Sequence, residues 1–141
     1  MEKLYREVMN DHYKNPRNKG LKNQGITCRK RNPSCGDDIT IELELEGDTI
    51  KHLRHDEVGC LICCSSASVM SSILEGKTID EAKEMSKSFS EMLMGEKLDE
   101  DMAEKMDEAL IYQGVSKYPA RIKCACLPWK ALDGALEQDD E

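Results

Sequence analysis

Seven cysteines in a chain of 141 residues are enough for sulfur chemistry, and three of them occupy settings suited to it. The run Val58-Gly59-Cys60-Leu61-Ile62-Cys63-Cys64 reads as the end of a strand, a glycine turn and a helix whose first turn carries three thiols. A sulfur at a helix start faces unpaired backbone N–H groups, and the helix dipole favours thiolate over thiol there. Upstream, Asn32-Pro33-Ser34-Cys35-Gly36-Asp37 offers a second thiol and a carboxylate. Downstream, Arg121-Ile122-Lys123-Cys124 offers a third thiol. Seven is an odd number, and a reducing compartment keeps such residues as thiols, so the pattern speaks for metal binding or sulfur transfer rather than disulfide staples.

We read Cys35, Asp37, Cys60 and Cys124 as one metal site. Zinc takes four ligands drawn from thiolate, imidazole and carboxylate in a tetrahedron, and these residues supply that set. Three thiolates and one carboxylate around a dication leave a formal charge of about −2, which the neighbouring Arg121 and Lys123 would soften. A carboxylate holds zinc or iron less tenaciously than a fourth thiolate, so the site suits exchange. Two other arrangements compete. Cys60 and Cys63 form a C-x-x-C at a helix start, the spacing of dithiol oxidoreductases, although no parallel βαβ pattern surrounds it. Cys124 and Cys126 would point about 200° apart on a helix, which keeps Cys126 out of the site. Cys64 could support Cys60 from one turn away or pack as a core thiol, and Cys28 reads as a small buried hydrophobe.

The elements that must position these groups read as helices and one antiparallel sheet. Leu4, Tyr5, Val8, Met9 and Tyr13 form the stripe of an amphipathic helix over residues 2–14, stopped by Asn15-Pro16 and Gly20. His12 beside the stripe is a structural histidine. A short strand is expected near Ile26 to Lys30. Ile39, Ile41, Leu43 and Leu45 alternate with Thr40, Glu42 and Glu44, the pattern of a strand with one wet face. Glu46-Gly47-Asp48 turns the chain back into a strand from Ile50 to Val58, where Ile50 and Leu53 differ in parity and call for a bulge. This gives a three-stranded antiparallel sheet. Because a hairpin brings its outer termini together, Cys35 before the second strand and Cys60 after the third lie at the same end.

Four to five helices are expected to pack on that sheet. The helix from Cys60 to Leu74 ends at Gly76, and Thr78 with Glu81 forms a capping box for the next. Residues 86–100 look irregular. Leu98, Met102, Met106, Ala109 and Leu110 form a further stripe, its methionines core filling, broken at Gln113-Gly114. Trp129, Leu132 and Leu136 share a face of the last helix. Pro128 cannot donate to the carbonyl of Cys124, so either Cys124 sits inside a distorted helix or the helix begins near Pro128. We expect one domain over 1–141, with 137–141 as a solvated acidic tail.

The totals exclude some classes of function. With 28 acidic and 20 basic residues the net charge is −8. That argues against nucleic acid or an anionic membrane as the main target and favours a basic partner surface. No signal-like N-terminus and no run of about 20 apolar residues is present, which points to a cytoplasmic protein without a membrane span.

The Asn32 to Asp37 motif, Gly59-Cys60 followed by Ile62 and Ser66-Ala67-Ser68, and Arg121 to Cys124 resemble the three cysteine motifs of the U-type iron-sulfur assembly proteins: IscU, SufU and the NifU N-terminal domain. The stretch from His12 to Asn18 is similar too, and the resemblance runs over about residues 2 to 136. The 63 residues between Cys60 and Cys124, with Lys123 where IscU proteins carry histidine, are most similar to the SufU branch. The resemblance implies an α+β fold with a three-stranded antiparallel sheet and helices on one side, functional thiols at Cys35, Cys60 and Cys124, Asp37 as carboxylate ligand and Arg121 as the arginine beside the site. It also implies acceptance of persulfide sulfur from a pyridoxal-phosphate cysteine desulfurase, of the SufS or IscS type, for cluster assembly or relay to downstream assembly proteins or apo-proteins. SufU-type members commonly hold zinc, and the same ligands accept a transient iron-sulfur cluster. Cys35 is the favoured sulfur acceptor, because a glycine-flanked loop swings more easily than a helix end, with Cys124 as rival. Cys63 stands where the family usually has serine, and Pro128 where alanine is usual. A dithiol oxidoreductase using Cys60 and Cys63, or a structural zinc module, are the alternatives.

Overall fold

The fold, taken from a computed structural model that describes residues 3–139, is a three-stranded antiparallel sheet covered by helices. The order is α1 (Lys3–Lys14), β1 (Ile26–Asn32), β2 (Asp37–Glu46), β3 (Thr49–Val58), α2 (Leu61–Leu74), α3 (Ile79–Leu93), α4 (Glu100–Met106), a 3₁₀ segment (Asp107–Lys117) and α5 (Pro119–Asp139). The strands lie in sequence order, each paired with the next. The expected bulge is present: Glu44 pairs with His52 but Leu45 pairs with Ile50, so Lys51 is the extra residue and both Ile50 and Leu53 reach the core.

Ile39, Ile41 and Leu43 on β2 and Leu53 on β3 are fully buried beneath α2 and α5. The opposite face is less wet than its alternation suggests. Glu42 is fully buried, because the chain at residues 22–24 folds over it and the N–H groups of Lys22 and Gln24 donate to its two oxygens at 3.0 and 3.2 Å. The Arg54 guanidinium donates to the same carboxylate at 2.7 Å and also pairs with Glu44. The apolar face carries an ionisable pair of its own: His55 and Glu57 are both buried, 2.6 Å apart, with the other ring nitrogen of His55 2.7 Å from the carbonyl oxygen of Arg17. Alternation alone does not reveal either arrangement, since each depends on the segment between α1 and β1 lying against the sheet.

The helices differ from the sequence reading in three places. Residues 86–93, expected to be irregular, continue α3, with Ser86, Ser88, Phe89, Met92 and Leu93 buried. The fourth stripe breaks at Asp107, where φ is +49°, and not at Gln113-Gly114, which lie inside the 3₁₀ segment. Helix α5 begins at Pro119 and runs through Pro128, so of the two placements for Cys124 the chain adopts the one inside the helix. Of the expected acidic tail, 137–139 are the last residues of α5, where the Gln138 side chain donates to the Thr27 carbonyl, and 140–141 lie outside the described residues, as does Glu2. Other expectations match: Thr78 and Glu81 form a capping box, and His12 is buried between Ser68 and Glu108.

Two contacts fix α5. Trp129 stacks on Phe89 with ring centroids 4.4 Å apart, and Phe89 meets Tyr112 edge-on at 5.9 Å. At Gly134 a Cβ would fall 2.6 Å from the sulfur of Cys28, so only glycine lets α5 lie this close to β1. Among the described residues no helix is long and apolar enough to cross a membrane.

The Glu42 arrangement gives a pH-dependent expectation. Burial alone would raise its pKa, but the backbone donors and Arg54 outweigh that and hold the carboxyl below its ordinary value. A depressed folded value contributes stability above the unfolded pKa near 4.5, which is lost as pH falls through the folded value. Urea unfolding should show Glu42→Gln less stable than the wild type by about 2 kcal/mol at neutral pH, with a shallower decline below about pH 5. Identical acid profiles would remove Glu42 from the account.

Candidate metal centre

The loop that carries Cys35 is a tight hairpin turn. Asn32 pairs with Asp37 at the end of the β1–β2 ladder, leaving Pro33 to Gly36 as the turn. Asn32 organises it: its side-chain oxygen accepts the N–H of Ser34 at 3.2 Å, and its carbonyl accepts those of Cys35 and Gly36 at 3.3 and 2.9 Å. Gly36 has φ +77°, the conformation that side chains resist, and it lets the chain re-enter the sheet at Asp37. Cys35 is thus exposed at the tip and Asp37 is buried beneath it.

The pairing of Asp38 with Val58 sets Asp37 beside the exit of β3. There Cys60 caps α2 with its own sulfur, which accepts the N–H of Cys63 at 3.4 Å. The Cys60 N–H donates to Asp37 Oδ1 at 2.9 Å, so one carboxylate oxygen ties the two chain segments together and the other, Oδ2, faces the sulfurs. A Cβ at Gly59 would come within 2.5 Å of Oδ1, so the carboxylate occupies the space a side chain would need. The missing side chain at 59 therefore shapes the site as much as the residues present do. The Gly-Cys spacing in the sequence marks a turn, but the steric reason for glycine emerges only with Asp37 alongside.

Around Oδ2 the donors gather. The Cys35 thiol donates to it at 3.0 Å and the Cys60 thiol lies 3.8 Å away. The sulfurs of Cys35 and Cys124 are 3.6 Å apart. Donor atoms of Cys35, Asp37 and Cys124 all lie within 4.8 Å of one another, a group able to hold a metal ion, and Cys60 reaches this group through Asp37 and through a side-chain contact with Cys124. Burial, followed by contacts with Asp37, Cys35 and Cys60, pushes the Cys124 thiol well above its ordinary value. Three potential anions in mutual contact, with Cys60 joined to them through Asp37 and Cys124, either retain protons or take up a cation. The donor set, three soft sulfurs and one free carboxylate oxygen, fits zinc or iron better than magnesium or calcium.

The remaining candidates fall outside the cluster. Cys63 is fully buried, and burial raises its thiol strongly. Cys64 leans back to the Gly59 carbonyl at 3.5 Å, with its pKa pushed up to about 11 by burial and then by Glu57. Cys126 is buried away from Cys124, beside Ser90. Arg121 and Lys123 are both exposed, and among the described residues neither has an ion pair. They stand on opposite sides of the centre. Arg121 lines an apolar groove of about 640 Å³ with Leu61, Ile62, Val115 and Tyr118, and Lys123 joins Lys30 and Arg31 on the other side.

The chain has relatives whose roles are described. Residues 4–125 match the model of the NifU-like N-terminal domain. The zinc-dependent sulfurtransferase SufU of Bacillus subtilis is 46% identical over 140 residues, 99% of this chain and 94% of that protein. The iron-sulfur cluster assembly scaffold protein IscU of Streptococcus pyogenes is 36% identical over 136 residues, 96% of this chain and 84% of its own. A crystal structure of a hypothetical protein superposes with a TM-score of 0.90 at 34% identity, covering 97% of this chain and 99% of that one. The matched span takes in all three cysteine motifs and the whole sheet, and the chain belongs to the NifU-like N-terminal domain family, with SufU and IscU proteins among its relatives.

Proposed function

We propose that this protein takes up sulfur from a pyridoxal-phosphate cysteine desulfurase at a zinc site formed by Cys35, Asp37, Cys60 and Cys124, and passes it on for iron-sulfur cluster assembly. The observation that carries this reading is the meeting of three thiols, contributed by a hairpin turn, a helix cap and a helix interior, around one free carboxylate oxygen. The likeness to a zinc-dependent sulfurtransferase at 46% identity supports it. A zinc ion held by these four groups supplies the positive charge that keeps their sulfurs deprotonated.

Sulfur uptake asks three things of the residues: an accessible nucleophile, a way to release it and a fixed frame. Cys35 is the exposed sulfur, and it sits on a turn whose glycine permits rearrangement. Cys60 and Cys124 belong to helix ends and interiors that hold their places. The Cys35 thiolate attacks the terminal sulfur of the donor's persulfide. A new S–S bond forms on Cys35, the donor's S–S bond breaks, and the donor cysteine leaves as thiolate. Asp37, held through Oδ1 by the Cys60 N–H, keeps its place while Cys35 moves. Buried Cys63 is poorly placed to exchange disulfides with Cys60, and an extensive apolar core, from Met9 to Leu136, makes a metal-dependent structural module a weaker account. In the scaffold role named for the IscU relative, a cluster would be cargo on the same ligands. Metal analysis with a visible spectrum of anaerobically purified protein separates the two.

Substituting Cys35, Cys60 or Cys124 by alanine should lower desulfurase-stimulated sulfur transfer on the order of a thousandfold while far-ultraviolet circular dichroism stays unchanged. Mass spectrometry after a single turnover should find the added sulfur atom on Cys35. Full transfer by all three variants would end this reading, and sulfur on Cys124 would reassign the nucleophile.

Gly59→Ala should weaken zinc binding about 10- to 100-fold in a chelator competition, because the new Cβ displaces Asp37 without touching a sulfur. Wild-type affinity in that variant would show that the carboxylate is not a ligand.

A further inference from the structure

The protein carries a net charge of −8, yet one surface beside the thiol cluster has the opposite sign. Lys30 and Arg31 on β1 and Lys123 and Lys130 on α5 line an open depression of about 420 Å³ whose floor includes Leu127 and Gly134. All four cations are exposed. The lining also carries two acids, Asp133 and Glu137, and Asp38 lies 3.4 Å from Arg31. Asp38 is already held by Arg29 through a two-point pair at 2.9 and 2.6 Å, so it only partly offsets Arg31. Among the described residues Lys30, Lys123 and Lys130 have no ion pair. The depression adjoins the metal centre directly. Lys123 precedes Cys124, and Asn32, part of the lining, is the residue that folds the Cys35 turn.

We propose that this basic surface docks an acidic segment of the sulfur-donating protein and so sets its persulfide over Cys35, an inference that rests on the sulfur-acceptor reading above. Position and charge together decide the occupant. A second copy, also at −8, would be drawn to the patch by its overall charge alone, whereas the protein that delivers sulfur to Cys35 must come against the surface that adjoins it, where an acidic segment satisfies the exposed lysines. The four cations are exposed side chains spread over two elements, β1 and α5. An extended acidic surface can satisfy several lysines at once without desolvating any of them fully. Such contacts steer encounter and fix orientation more than they add affinity, so their removal shows in the concentration needed for half-maximal effect.

The test uses Lys30→Glu/Lys130→Glu, which leaves Cys35, Asp37, Cys60, Cys124 and Lys123 untouched and should retain wild-type zinc content. Desulfurase turnover is measured against the concentration of this protein, and binding to the same desulfurase is measured separately by biolayer interferometry. The half-saturating concentration and the Kd of the variant should each rise about tenfold, with the maximal rate unchanged. The difference from wild type should shrink as salt is raised from about 0.02 M to about 0.3 M. Equal binding by variant and wild type overturns the docking surface and leaves the sulfur-acceptor reading intact. Patch-dependent binding without sulfur transfer keeps the surface and overturns that reading. Absence of any binding by the wild type rejects both.

Discussion

One carboxylate joins the pieces of this protein that matter. Asp37 Oδ1 takes the N–H of Cys60, and Oδ2 takes the thiol of Cys35 with the sulfur of Cys60 nearby. A single buried side chain thereby registers the β1–β2 turn against the start of α2. The third element, α5, arrives independently through its packing on β1 and α3, and it brings Cys124 to within 3.6 Å of Cys35. If Asp37 were lost, the Asp38–Val58 pairing would still bring the turn and the start of α2 to one end of the sheet, but the bond that ties the turn to the helix cap would be gone. A buried carboxylate without a donor would be costly in this setting, which is why the helix cap's otherwise unpaired amide is a suitable partner.

The division of labour among the thiols follows from where each sits. Cys60 is tied down by capping its own helix and Cys124 by burial inside α5, so these two define the frame. Cys35 rides on a turn anchored at one end by Asn32 and released at the other by a glycine. The extra thiols of α2 point elsewhere: Cys63 into the core and Cys64 back toward the Gly59 carbonyl. Three thiols in five residues thus give one that faces the centre. Helical geometry, with residues three and four apart nearly aligned, leaves the difference to the exact start of the helix.

Much of this was legible in the residues. Strict alternation along β2, the hairpin turn at Gly47 and the off-parity pair Ile50 and Leu53 predicted the sheet and its bulge, because a period of two is a local property. The same hairpin argument placed Cys35 and Cys60 at one end. Two kinds of feature escaped. Buried charge escaped, as at Glu42, Arg54, His55 and Glu57, because its partners come from a distant segment and no pattern within β2 or β3 announces them. Helix continuity escaped too: residues 86–93 look polar, yet Ser86 is stabilised by Asp133 on α5, and Pro128 is carried within a helix whose packing outweighs one lost hydrogen bond. The roles expected of Arg121 and Lys123 divide in the same way. Neighbourhood in sequence put both beside Cys124, whereas the helix turns them to opposite flanks.

The lone tryptophan of the chain has a use beyond packing. Trp129 is almost fully buried, stacked on Phe89 of α3, and lies little more than one turn along α5 from Cys124. Among the described residues its indole N–H has no hydrogen-bond partner, and its ring is packed against Phe89. Trp129 rides on the same helix as Cys124, so a shift of α5 would change the surroundings of its ring, and the protein's intrinsic fluorescence is a built-in gauge of where the third sulfur stands.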